Sequence, residues 1–444
     1  MITRLALTFA TLALTAQANW PQWRGPNQDG STSATGLPVK FFLTEGVKWS
    51  TPLPSSSASS PVVYGKKVFV TAIDVEKQQL LGLCIDAETG KELWRKAIGS
   101  GYKWDKNSNL ASPSPAADSK NVYFFFATGD LHAFTHAGEE VWARSITKDH
   151  GNFGTQWTYA SSATLDSGKL YVQVLQRDEA FDFQGTMKGN PNGDNRSYIL
   201  CVDATTGKDV WKHYRPSEAV AETLEAFSSP VFHEHEGKRQ MLIVGGDCIT
   251  GHDAGTGAEL WRWGNWNPEK IGHWRLVPSV VAGDGVALAC APKNNPVFAV
   301  PLSKTGLLQD SDLLWTSDPK EVTSDVSTPL YYQGYFYILD SGRKTISCVE
   351  TKTGKVLWTG DTGSKAKFES SPTAADGKIY ATNFWGDVYV IAANPAKFEL
   401  LHVAELGNGT RPQGTDESVR ASVAIAHNRL HIRTQDKLHC VGAD

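Results

Sequence analysis

The sequence predicts an all-β fold: an eight-bladed β-propeller of four-stranded antiparallel blades, its ring closed by N- and C-terminal strands that share one blade. Three observations predict it. A tag made of an apolar run, an Asp, a tight A-x-T-G-K turn and a closing Trp recurs along the chain. A hairpin start recurs ahead of the tags. The last unit lacks its outer strand, and an orphan outer strand stands near the N-terminus.

The tag is clearest at Leu83–Trp94, and it recurs at Leu200–Trp211, Asp253–Trp261 and Cys348–Trp358, with a looser copy at Ala133–Trp142. Repetition at this spacing marks a repeat fold. Alternating apolar residues make two half-buried strands, and the Gly supplies the positive φ of the turn between them. A Trp buries roughly 150–250 Å², so one recurring at a fixed place is expected to be core rather than ligand site.

The hairpin starts count the units. Pro61 leads to Val68 across Gly65, Pro115 to Val122, Ala163 to Leu170 across Gly168, and Pro230 through a longer turn at His233–Lys238. Ser279 leads to Val286, Pro329 to Phe336, Pro372 to Ile379 and Val423 to Leu430. Each reads as a hairpin with a short polar or Gly turn, and there are eight. The first unit is expected to hold strands at 60–64, 67–72, 81–86 and 91–95. The eighth ends at Leu438–Val441 without a Trp, and Val47-Lys48-Trp49 supplies the missing strand. Units five and seven carry degenerate tags, at Leu313–Trp315 and Phe398–Leu400.

The 444 residues therefore divide into a signal peptide over 1–18, an extended arm over 19–46 and one propeller domain over 47–444. Met1–Ala18 holds one basic residue, Arg4, an apolar run from Leu5 to Leu14, and an A-x-A site at Ala16-Gln17-Ala18. That implies export to the periplasm or beyond, with cleavage near Ala18. No Cys adjoins the site, so no lipid anchor is expected, and no later run is long enough to span a membrane. A net charge of −4 without a basic stripe excludes nucleic acid as a partner. The protein is expected to be monomeric.

Of the six Cys, Cys84, Cys201, Cys348 and Cys440 share one repeat position, which other units fill with Ala133, Gly251 or Val390. The pattern asks for a small residue in the sheet. Cys248 and Cys290 follow successive second strands and are placed to pair in an oxidising compartment. His233-Glu234-His235-Glu236 reads as a solvated hairpin turn, and Asn190–Asn195 lacks the spaced acids of a calcium loop.

Blade topology puts the tight turns on one face and every long loop on the other, and binding residues concentrate in loops on a rigid frame. The long-loop face carries the largest insertion, Arg177–Ser197, with Phe181, Phe183, Met187 and Arg196. Just before innermost strands lie Trp157, Glu225, Trp274, Arg275, Asp325, Glu369 and Arg420. After second strands lie Asp247, Asp340, Arg343 and Trp385. These charges and rings around an axial funnel are the candidate ligand-binding set, and none is assigned as catalytic or metal-binding.

The starts and tags resemble the PQQ (pyrroloquinoline quinone) repeat, S-P-x-V-x-x-G-x-V-Y-V followed by L-x-x-D-A-x-T-G-K-x-x-W, over nearly all of residues 47–441. The opening Trp20-Pro21-Gln22-Trp23-Arg24-Gly25-Pro26 is similar to that of exported PQQ-like propellers of bacteria. The resemblance implies an eight-bladed propeller and two functional branches. The BamB-like branch binds protein partners without a cofactor, although its lipid-bearing Cys is absent here. The quinoprotein dehydrogenases, acting on alcohols or sugars, hold PQQ and Ca²⁺ in the funnel, with an Asp as base and a Trp under the quinone. In that branch Asp325 or Asp340 would be the base, with Asp247 and Glu369 equally placed, Trp274 or Trp385 the floor, and Arg275 or Arg343 the partner of the quinone oxygens. The chain has no adjacent Cys pair. The expectation is a non-catalytic scaffold that binds a protein or small ligand on the long-loop face, with the quinoprotein dehydrogenase as the alternative.

Overall fold

The computed structural model describes residues 19–443. The signal-peptide stretch lies outside them. Eight antiparallel sheets stand around an axis as a β-propeller. Blade 1 runs outward through Val62–Tyr64, Lys67–Asp74, Gln79–Asp86 and Glu92–Ser100. The second-to-third hairpin is longer than the sequence suggests, because Ile73 and Leu80 stay paired and buried up to the turn at 75–78.

Ring closure follows the expected pattern. Val47–Pro52 is the outer strand of blade 8, pairing antiparallel with Lys437–Gly442, Trp49 opposite Cys440. Blades 5 and 7 complete their sheets with Trp315–Thr316 and Leu400–Glu405. One strand was not foreseen. Gly306–Leu307 pairs parallel with the outer strand of blade 4, because the loop leaving the third strand of blade 5 wraps back onto its neighbour.

The tag Asp shapes its turn. Asp86 Oδ1 accepts from the Glu88 and Thr89 amides and the Thr89 hydroxyl at 2.8–3.0 Å, and Asp203 and Asp253 repeat the arrangement.

Most tag tryptophans are half-buried rather than enclosed in their own sheet. Each reaches the turn of the next blade. Trp49 lies on Gly90, Trp94 on Gly138, Trp142 on Gly207, Trp211 on Gly257 and Trp315 on Gly354. The indole N–H of Trp142 donates to Ala204 O at 2.9 Å, and that of Trp315 to Thr351 O at 2.9 Å. A Cβ on Gly207 would stand 2.7 Å from the Trp142 ring, and its φ is +71°. The glycine thus serves both the turn and the close approach.

The small repeat position is the cross-strand partner of the Trp: Cys84 faces Trp94, Cys201 faces Trp211, and Cys348 faces Trp358. Blade 4 shows why size matters there. Opposite Gly251, Trp261 folds over its own sheet, is 1% exposed, and donates to Gln240 Oε1 at 2.7 Å. All six cysteines are buried free thiols, so the foreseen pairing of Cys248 with Cys290 is not present.

At the axis, each blade begins with a Ser or Thr that bonds to the next. The amide of Ser60 donates to the hydroxyl of Ser114, and the chain of bonds passes through Ser162, Ser229, Ser279, Thr328, Ser371 and Ser422 back to Ser60. All eight distances fall between 2.8 and 3.0 Å. At about 1 kcal/mol each, the circle holds the inner strands together.

The N-terminal arm crosses the tight-turn face. Trp20 bridges to Val63 of blade 1 and Gln22 to Ala116 of blade 2. The Gln22 side chain exchanges two bonds with Leu165 of blade 3, and Gln28 accepts from the Phe232 amide of blade 4. Asp29 O accepts from Tyr331 N of blade 6, and Ser31 bridges to Ala374 of blade 7. No helix among the described residues is long and apolar enough to cross a membrane.

Two predictions follow from this frame. Trp142→Ala and Gly207→Ala each break the blade 2–blade 3 contact. Each is expected to cost about 2–4 kcal/mol in denaturant unfolding, with little additivity in the double variant because both remove one contact. Blade 8 buries His431 and His439, whose pKa values burial pushes down to about 3 and about 4. The unfolded chain binds their protons first, so stability is full above about pH 6.5 and is lost as the pH falls toward those values. His431→Leu, which also removes two unsatisfied ring nitrogens, is expected to flatten the fall of melting temperature between pH 6.5 and 4.

Candidate functional site: the axial funnel

The long-loop face opens into a funnel of about 330 Å³ on the propeller axis. Its base is built from the hydroxyl circle, with Ser114, Ser162, Ser229, Thr328, Ser371 and Ser422 exposed in the wall. The floor is Trp23, carried in from the opposite face by the arm. Phe227, Val277 and Val326 supply apolar wall, and Trp157, Arg275, Glu369 and Arg420 form the upper wall with Asn107 and Ser108.

The structure brings together part of the candidate set. Arg275 donates to Glu222 at 2.6 Å, Trp157 Nε1 donates to the same carboxylate oxygen at 3.1 Å, and the Arg275 guanidinium lies 5.3 Å from the Trp157 ring centre. Phe183 of the blade 3 insertion meets Trp157 edge-on at 5.3 Å. Across the funnel, Arg420 pairs with Glu369 at 2.7 Å and donates to the carbonyls of Asn107 and Thr415.

Arg177 and Glu225 stand behind the wall. Glu225 is fully buried, accepts from Arg177 at 2.7 Å and from the Gln156 amide at 2.8 Å. Arg177 also donates to Gln156 Oε1 at 2.5 Å and covers the Phe181 ring at 4.1 Å. Burial dominates at Glu225 and raises its pKa to about 7 despite the arginine.

The other candidates lie off the funnel. Arg196 is exposed, pairs with Asp194 at 2.8 Å and covers Tyr214 on the outer edge of blade 3. Asp247 lines a separate recess with Asn267 and Cys248, where burial raises its pKa to about 6. Asp340 pairs with Arg343 at 2.5 Å, and Arg343 continues to the carbonyls of Pro319 and Lys320 away from the axis. Asp325 accepts from the Lys293 amide at 2.5 Å, Trp274 donates its amide to Thr223, and Trp385 lies under Arg411 at 4.6 Å.

The residues missed by sequence reasoning are Trp23 and the hydroxyl circle. Both left a signal, in the Trp20–Pro26 motif and in the Ser or Thr before each hairpin start.

The chain matches the family model described as outer membrane protein assembly factor BamB over residues 43–179 and 305–441. It belongs to this family of PQQ-repeat propellers. Curated relatives of this BamB-like chain include the tetrathionate hydrolase of Acidithiobacillus ferrooxidans, 23% identical over 79% of the chain and 69% of that protein. The polyvinylalcohol dehydrogenase of Sphingopyxis sp. is 26% identical over 45% of the chain, a segment spanning only 29% of that enzyme. BamB of Moraxella catarrhalis superposes with a TM-score of 0.60 at 12% identity, covering 90% of this chain and 97% of its own. The quinohemoprotein alcohol dehydrogenase of Comamonas testosteroni gives 0.63 at 13% identity, covering 96% and 81%. At these identities the structural likeness is one of fold.

Glu225 yields a pH prediction. Its folded pKa lies above that of the unfolded chain, so the native state binds the extra proton between about pH 4.5 and 7. Its contribution to stability is complete at low pH and lost as the pH rises through that window. Glu225→Gln is expected to abolish this component of a melting-temperature profile, leaving Trp157 emission unchanged.

Proposed function

We propose that this BamB-like chain is an exported, non-catalytic propeller scaffold that holds a small ligand or a protein segment in the funnel of its long-loop face. One observation carries the reading. The wall carboxylates and guanidiniums are already matched, Glu222 with Arg275 and Glu369 with Arg420, and Glu225 behind them with Arg177. Matched pairs of this kind shape and rigidify a recognition surface, and they leave no unpaired carboxylate to act as a base among the described residues of the funnel wall. The family's description as an assembly factor supports a binding role.

The dehydrogenase relatives raise PQQ and Ca²⁺ as the alternative. When bound in such a funnel, PQQ supplies a two-electron acceptor. The donor set here does not suit the pair. Ca²⁺ takes six to eight oxygens, yet no three His, Cys, Asp or Glu among the described residues are grouped to hold a metal. Asp340 and Arg343 are bound to one another off the axis. Asp325 accepts from the Lys293 amide on Oδ1 and lies outside the funnel lining. No reaction step is therefore routed through the quinone.

Titration of the mature protein with PQQ in millimolar Ca²⁺ is the decisive test. The expected result is no rise in melting temperature and no dye-linked oxidation of alcohols or sugars. A stoichiometric complex with a raised melting temperature and dye reduction would replace the scaffold with a quinoprotein dehydrogenase.

A further inference from the structure

Three features at the base of the funnel remain unused by the reading above. The first is the hydroxyl circle itself. Each hydroxyl oxygen accepts one neighbouring amide, and none of the eight donates to any described residue. A Ser or Thr hydroxyl has one proton to give. The base is thus ringed by O–H donors without protein acceptors.

The second is Arg24. It is 2% exposed and directly follows the floor residue Trp23. Its guanidinium donates to the carbonyls of Pro329 and Pro372, at 2.7 and 2.8 Å, and to that of Asp29. Pro329 and Pro372 each come one residue after a circle member, so this cation sits against the circle. The Asp29 carboxyl acts on it, and burial raises the pKa of that carboxyl.

The third is Arg433, 1% exposed, which donates to the carbonyls of Thr71 and Ser59, and to that of Ser55. Ser59 comes one residue before a circle member. No described carboxylate acts on Arg433. Both arginines leave Nε without a partner. Two desolvated cations held only by carbonyls, or nearly so, are costly without a counter-charge. The rim offers none, because its acids are bound to Arg275, Arg420 and Arg177.

We infer that the base of the funnel is a binding site for a small acceptor-only oxyanion of the sulfate or phosphate class, ringed by the six circle hydroxyls that line it above Trp23, with the Arg24 cation against the circle and Arg433 behind it at the Ser59 carbonyl. The inference rests on the scaffold reading and names its ligand class. Each circle hydroxyl gives one lone pair to an amide and keeps its proton free to donate, so a ligand that presents only acceptors matches the ring. Convergent hydroxyl donors of this kind recognise anions without full ion pairing.

The test is calorimetric titration of the full mature protein with sodium sulfate and, separately, with sodium phosphate. It is run at fixed ionic strength against chloride, with glucose as the neutral probe. One saturable sulfate or phosphate site and no glucose heat are expected. Trp23 emission should shift on binding, and the shift should vanish in Trp23→Phe. Ser162→Ala combined with Ser371→Ala should weaken the dissociation constant at least tenfold. If that variant does not fold, the wild-type emission shift and its loss in Trp23→Phe decide the matter. No saturable heat with either anion, saturation by glucose instead, or unchanged affinity in the double variant overturns the inference. The two readings fail separately: dye reduction with PQQ removes the scaffold whatever sulfate does. Absence of sulfate and phosphate binding without dye reduction removes only the oxyanion.

Discussion

The closed circle of amide-to-hydroxyl bonds at the axis is the constraint on which the rest depends. A propeller must return to its start, so an error in blade spacing accumulates over eight blades and appears at the seam. Here the same bond is made at every boundary, including Ser422 to Ser60 across the seam. Five of the eight circle residues precede a proline, which disfavours helical backbone and keeps the entry to the inner strand extended. Position and conformation are thereby set by a two-residue unit. Outside the circle, Val47–Pro52 closes the same seam with a full strand, leaving blade 8 no open edge.

The rim of the ring solves a different problem. Blades diverge outward, so the gaps between them widen and need larger groups. A tryptophan from one blade fills the gap by lying on a glycine of the next. The exception in blade 4 shows that the contact depends on the cross-strand residue. With no side chain at Gly251, Trp261 turns inward and satisfies its N–H on Gln240. The outer edge of blade 4 is then covered by Gly306–Leu307 instead. One glycine is associated with a local change of both core and edge.

The fold was legible because its signals are local and repeated: Asp-to-Thr turns, alternating strands, and an outer strand displaced to the other end of the chain. What stayed hidden is what repetition does not specify. The tag tryptophans read as core because area alone argues for burial, whereas their role depends on the adjacent blade. The funnel wall was half legible. Loop position picked out Trp157, Arg275, Glu369 and Arg420, which line the cavity. It placed Arg196, Asp340 and Arg343 in the same class although their loops lean outward. Loop position also gave no sign that acids and arginines would pair with each other. Trp23 was hidden for another reason: an arm without period carries no address, and only the threading of Gln22, Gln28 and Ser31 across several blades shows where it goes.

The arm also links architecture to electrostatics. Without it the axis would be a tube open at both faces, and water at its narrow end would solvate whatever charge stood there. By crossing the tight-turn face, the arm sets Trp23 against the funnel and buries Arg24 beside it, where carbonyl oxygens and Asp29, whose pKa burial raises, answer its charge. A guanidinium keeps its proton under such conditions, since even here its pKa falls only to about 10. Its charge therefore stands beside the circle, on the carbonyls of Pro329 and Pro372. At the mouth, Arg275 and Arg420 are paired with Glu222 and Glu369, so charge is matched at the wall, whereas Arg24 beside Trp23 has no such pair. That contrast comes from one structural choice, the threading of an N-terminal segment under a ring that could close without it. It is what separates this funnel from a passive channel between blades.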